Sequence, residues 1–247
     1  MKNIFLTRLA LIVVVQSMMV FYANSQAVDT IKAKTGTKIC KTALWRVGSR
    51  YTAETWFSGG IKGEACLTTN GSKSFIIDWN LIKYGFLHEV GLYDLQVPVD
   101  LVNPKASSKH KHSFSNITGA GGYTGLYGWF GKAGATDAIE FYINENWVGD
   151  TAINMSSCKK MGTITVDGGT YDIYTRPVKG KAFAQWWSNR VSPHTRGKIS
   201  YAKHFREWRR LGMPDVVLTR LTYAFECTWG AATGGLLKYS TYKIDQP

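Results

Sequence analysis

Apolar positions along this chain recur mostly with a period of two. Short runs rich in aromatic and β-branched residues are separated by Gly, Asn, Asp and Ser, the pattern of strands joined by tight turns. Ser74–Trp79, Thr163–Val166, Gly169–Thr175 and Val216–Phe225 are such runs. Asp167-Gly168 falls between two of them and predicts a hairpin turn. Helical spacing stands out once, from about Tyr201 to Leu211. There Phe205, Trp208 and Leu211 make a buried stripe and Gly212 is a natural stop. Many strands and one helix predict an all-β antiparallel sandwich or jelly roll. Residues 28–38 read as a loose polar lead-in. With no internal repeat and no low-complexity linker, the rest reads as one domain.

Two strands carry carboxylates with unusual neighbours. In Ala138–Trp147, Ile139, Phe141 and Ile143 form one face and belong in the core, which puts Glu140, Tyr142 and Asn144 on the other. In Tyr123–Trp129, Tyr123, Tyr127 and Trp129 share a side. Phe183–Arg190 adds Gln185, Trp186 and Trp187. So many rings around one carboxylate suit sugar binding, although a plain polar face is the commoner meaning of alternation. In Thr219–Trp229, Arg220, Thr222, Ala224 and Glu226 lie opposite Leu221, Tyr223 and Phe225. Small neighbours leave room for a ligand at Glu226, and burial would raise its pKa as a general acid requires. An ion pair with Arg220 would do the opposite, and periodicity leaves both open.

Charge and composition narrow the class. The 247 residues are 45% hydrophobic and 19% charged, which excludes disorder by composition, and the net charge is +13. The basic residues are scattered, with no Lys/Arg stripe and no nucleic-acid motif, so no nucleic-acid partner is expected. Residues 1–27 read as a signal peptide: Lys2 and Arg8, apolar Leu9–Val15 and Met18–Tyr22, then Ser25-Gln26-Ala27. Gln16 and Ser17 interrupt the apolar run, which is short for a membrane anchor. The expectation is a secreted protein, extracellular or periplasmic, with no membrane association after cleavage. Export permits disulfides among Cys40, Cys66, Cys158 and Cys227 in any of three pairings. No Cys/His spacing resembles a zinc site, and His110 and His112 read as part of a solvated basic loop.

Taken in order, several motifs resemble glycoside hydrolase family 11 from about Thr42 to Lys243. They are Trp56 in TWFSGG, Tyr127-Gly128-Trp129, Ile139-Glu140-Phe141-Tyr142 and DGGTYDIY at Asp167–Tyr174. FAQWWSNR at Phe183–Arg190, His204–Trp208 and Phe225-Glu226-Cys227 complete the series. The resemblance implies a β-jelly-roll sandwich of two twisted antiparallel sheets with a single α-helix, residues 28–247 forming the catalytic domain. It implies a monomeric retaining endo-β-1,4-xylanase acting on xylan, with carboxyl groups about 5–5.5 Å apart and no metal or cofactor. Residue by residue, Glu140 matches the nucleophile and Glu226 the acid/base. Trp56, Tyr127, Tyr142 and Gln185 match substrate contacts. Arg220 stands where the family has a tyrosine, and could bind an acidic branch or pair with a glutamate.

Departures accompany the match. The thumb hairpin shortens to Pro177-Val178-Lys179-Gly180, the Asn or Asp near the acid/base falls at Gly85, and extra residues follow at Tyr93–Val102 and in the 130–137 loop. His88 and Glu89 are expected at the surface, and Cys227 to face the core and join a disulfide. Two alternatives stay open: a carbohydrate-binding protein of this fold with weak or lost turnover, and a hydrolase of a different charged β-1,4-glycan.

Overall fold

The computed structural model describes residues 36–83, 85–119, 121–132, 135, 138–149, 154–177, 183–227 and 233–247. The expected signal peptide, the hairpin tip at 178–182 and part of the 130–137 loop lie outside the described residues.

Among the described residues the strands form two sheets. The smaller one orders β1 (Thr37–Ile39), β4 (Lys62–Asn70), β5 (Ser74–Lys83), β16 (Thr233–Ile244), β8 (Ser108–Thr118) and β14 (Arg196–Ile199). The larger orders β11 (Lys159–Val166), β12 (Gly169–Pro177), β13 (Ala184–Arg190), β10 (Ile139–Val148), β9 (Gly122–Phe130), β15 (Val217–Cys227), β6 (Phe86–Leu92), β3 (Tyr51–Phe57) and β2 (Ala43–Val47). A short β7 (Val97–Pro98), within the extra segment after Tyr93, pairs with β15. β10 and β13 run parallel. The intervening β11–β12 hairpin supplies the long connection a parallel pair needs. At the tip of that hairpin, Asp167 and Gly168 both take positive φ, 51° and 71°, as the Asp-Gly pair predicts.

Between the sheets lies one apolar core. Ile139, Phe141, Ile143, Leu221, Tyr223 and Phe225 from the larger sheet meet Phe75, Ile77 and Tyr239 from the smaller. The helix α1 (Tyr201–Arg210) packs behind β10 and β13. The Phe141 ring lies 5.2 Å from Phe205 and 5.8 Å from Trp208. Trp208 Nε1 donates to Ser188 Oγ at 3.0 Å. No side chain caps the first turn; Ser200 instead gives its amide and hydroxyl to the Asp167 carboxylate at 2.6 and 2.9 Å. A missing cap costs about 1 kcal/mol, whereas burying Phe205 and Trp208 contributes about 1.5–3 kcal/mol each, so packing holds the helix.

Several expectations change. His110 and His112 are not in a solvated loop. They lie on β8, where Lys109 and Lys111 point out and the histidines point in. His88 and Glu89 are both buried: strand alternation sends His88 against Phe57 and Phe86, and Glu89 to the opposite face. Trp186 joins the core, leaving Trp187 alone of the pair on the outer face. Cys227 does face the core, but as a thiol that burial pushes up to about 12. The disulfide is Cys40–Cys66.

That disulfide ties the lead-in strand β1 and its neighbour β4 across a sequence separation of 26. Closing a loop of this length restricts the unfolded chain by about 3–4 kcal/mol. Reduction is expected to lower unfolding stability by that order in denaturant titrations, and a Cys40→Ser/Cys66→Ser variant to lose the response.

Candidate active site

Both carboxylate strands turn the expected residues away from the core. On that face Leu87, Tyr123, Tyr127, Trp129, Tyr142, Trp187 and Ala224 form a second apolar cluster, with Trp56, Tyr174 and Phe183 packed against it. Side chains on a flat outer face would be wet, yet Tyr127 and Tyr142 are only 3% and 4% exposed. The face must fold over itself into a groove. Register points the same way. Glu226 lies opposite Tyr123, and Glu140 opposite Trp129, six residues further along β9. On a flat strand six residues span about 20 Å. Yet the Tyr142 ring lies 5.1 Å from that of Tyr127, which bonds Glu140, and 5.7 Å from that of Tyr123, which bonds Glu226, so strong coiling of the strands brings the two carboxyl groups to one site.

Hydroxyl and amide donors surround Glu140. Tyr127 Oη donates to its Oε1 at 2.9 Å and Gln185 Nε2 to its Oε2 at 2.5 Å. Trp129 Nε1 in turn donates to Tyr127 Oη at 2.7 Å, and Arg176 Nε to Gln185 Oε1 at 2.6 Å. Arg176 therefore fixes which end of the amide faces the carboxylate. Burial raises the pKa of Glu140, while these donors pull it back by stabilising the charged form.

Glu226 has fewer donors. Tyr123 Oη gives one bond to Oε2 at 2.7 Å, where the missing Asn or Asp near Gly85 would have supplied a contact. Burial is the main cause, and the charge of Glu140 the next, of a pKa raised from 4.5 to about 7. The two acids thus differ in the way that matters chemically: Glu140 is the better stabilised anion and Glu226 the better proton holder.

Arg220 does not pair with Glu226. Its Nη1 donates to Glu54 Oε2 at 2.9 Å and to Glu89 Oε1 at 2.8 Å, and its guanidinium sits 4.4 Å from the centre of the Tyr93 ring. Tyr93 Oη and Thr222 Oγ1 donate to Glu54 and Glu89 at 3.0 and 2.6 Å. Burial lifts Glu89 to about 7 despite the guanidinium. Trp56 is half-buried beside this cluster, opposite Leu87 across the strands. Tyr123, Arg176 and Glu89 were not among the expected site residues. Tyr123 shares the alternation of Tyr127, a signal that was present; the Arg176–Gln185 bond depends on side-chain reach and leaves no pattern in the sequence.

Removing one donor tests these electrostatics. Tyr127→Phe deletes a hydrogen bond to the ionised form, so the pKa of Glu140 is expected to rise. Carboxyl ¹³C NMR titration reads this directly; an unchanged or lowered value would contradict the bond's role.

The model of the glycosyl hydrolases family 11 matches residues 49–232. Endo-1,4-beta-xylanase A of Thermoclostridium stercorarium is 42% identical over 98 residues, covering 37% of this chain and 14% of that protein. Endo-1,4-beta-xylanase A of Bacillus pumilus is 31% identical over 168 residues, covering 62% of this chain and 65% of that protein. Against these relatives the chain thus spans less than two thirds of their length. Among solved structures, wild-type ENZbleach xylanase superposes with a TM-score of 0.70 at 25% identity, covering 87% of this chain and 89% of that one. The family model covers well over half of the chain, across both glutamate strands and the helix, and the chain belongs to glycosyl hydrolase family 11.

Proposed function

We propose that this protein is a secreted, monomeric endo-1,4-β-xylanase that cleaves internal β-1,4-xylosidic bonds of xylan with retention, residues 28–247 forming its catalytic domain. The observation that carries this reading is the unequal carboxyl pair. Glu140 is held by the Tyr127 and Gln185 donors, and Glu226 has its pKa raised to about 7 beside it. In the first step the Glu140 carboxylate attacks the anomeric carbon, and the Glu226 proton passes to the departing glycosidic oxygen. This forms a glycosyl ester at Glu140 and releases the leaving sugar. Esterification removes the charge that raised Glu226, so its pKa falls and it becomes a base. Glu226 then takes a proton from water as that water attacks the anomeric carbon, freeing Glu140.

The remaining roles follow from position. Trp56, Tyr127, Tyr142 and Gln185 line the xylan chain, rings against sugar faces and polar atoms against hydroxyls. Arg220 is already matched by two carboxylates. An acidic branch would meet Glu54 and Glu89 as well as the guanidinium, and Arg220 acts mainly as a support of the groove floor.

Glu140→Gln and Glu226→Gln are expected to fold and each to lose about 10²–10⁴-fold or more in xylan hydrolysis. Reducing-sugar release checks this, and near-normal turnover in either would refute the assignment. Proton NMR of the first product is expected to show the β-anomer. Activity requires Glu140 ionised and Glu226 protonated. kcat/KM should therefore rise with pH through the pKa of Glu140 and fall as pH passes about 7.

A further inference from the structure

A second set of ionisable groups lies on the core side of the nucleophile strand. Glu145 follows the Ile139–Phe141–Ile143 row on β10, is fully buried, and is itself the residue at which the pairing with β9 bulges. Facing it from the other sheet is His110 of β8, 4% exposed, with neither ring nitrogen partnered among the described residues. His194, in the turn after β13, completes the group. The ligand atoms of these three lie within 4.8 Å of one another. We propose that His110, Glu145 and His194 form a divalent transition-metal site, fitted to zinc, that clamps the two sheets together.

Three observations support a built site. First, His194 Nδ1 lies 3.4 Å from Glu145 Oε2. Two tetrahedral zinc ligands at about 2.0–2.1 Å from the metal sit about 3.3 Å apart, so this pair needs little movement. Second, the scaffold is fixed by main-chain bonds. His194 N donates to Glu145 O at 2.7 Å, and His112 N donates to Thr195 O at 2.7 Å. The His112 ring stacks on His110, centroids 5.3 Å apart, and holds its plane. Third, the donor set of two imidazoles and one carboxylate suits zinc. His194 is about one-third exposed, leaving an entry path and a fourth position for water.

A competing cation stands nearby. Arg190 Nη1 lies 3.2 Å from Glu145 Oε2, and the Tyr171 hydroxyl donates to Oε1. The guanidinium has other partners, however: Tyr171 Oη at 2.8 Å and Gly168 O at 3.5 Å. It can yield Oε2 to a metal without being stranded. It also does nothing for His110, whose two nitrogens stay unpartnered whether or not Arg190 holds the carboxylate.

The test uses chelator-treated full-length protein and zinc chloride alone. Isothermal titration is expected to give one zinc per chain. Unfolding temperature should rise by about 5–10 °C at a hundredfold excess over Kd. Cobalt should give the visible absorption of a tetrahedral ion. His194→Ala, at a position about one-third exposed, should lose all three; His110→Gln should lose them too. Cys158→Ser should keep them, since that thiol is not part of the site. Absence of binding in the wild-type protein would overturn the proposal. So would binding that survives both histidine variants, or that disappears with Cys158.

Discussion

Two carboxyl groups share one desolvated groove: burial raises the pKa of both Glu140 and Glu226, and the charge of Glu140 raises Glu226 further. Two negative charges in so dry a place cannot both be stable, and the surroundings decide which one is kept. Glu140 receives Tyr127 and Gln185 as donors; Glu226 receives Tyr123. Raising Glu226 from 4.5 to about 7 corresponds to roughly 3 kcal/mol of preference for its neutral form. Burial is the larger cause and the charge of Glu140 the smaller, and only the smaller one can be switched during a reaction.

The architecture is arranged around keeping that pair close. Glu140 and Glu226 lie on β10 and β15, which flank β9 with a six-residue offset, and coiling of the larger sheet closes the offset. Coiling exposes the convex side of β10 and β13 to the core, where Phe205 and Trp208 of α1 fill the space beneath Phe141. The helix is thus a prop for the strand that carries Glu140. Arg220, Glu54 and Glu89 extend the groove on the other flank as a closed ionic cluster, and Thr222, bonded to Glu89, also donates to the Tyr127 carbonyl at 3.2 Å. The chemistry, the sheet curvature and the helix are therefore parts of one packing problem.

Much of this was legible from residue patterns. Alternation in AIEFYINENW separated core from groove residues, and Asp167-Gly168 and Phe205–Trp208 marked a turn and a helix by local rules alone. What failed to read out was mostly long-range. The Cys40–Cys66 pairing depends on β1 lying beside β4. Gln185 owes its orientation to Arg176 on the neighbouring strand. Glu89 and His88 are charged or polar types that composition sends to the surface, but they sit on a central strand buried on both faces. His110 and His112 are different: Lys-His-Lys-His is itself a period-two pattern, and its basic character masked the strand.

The unequal pair is tested most directly by titrating Glu226 itself, using ¹³C-labelled carboxyl groups, in the native protein and in Glu140→Gln. In the native protein Glu226 is expected to titrate near 7. With residue 140 neutral it should fall toward the ordinary carboxylate range, stopping short of it because burial remains. A Glu226 that titrates near 4.5 in the native protein, or that keeps its value when the charge of Glu140 is removed, would contradict the coupling on which the double displacement depends.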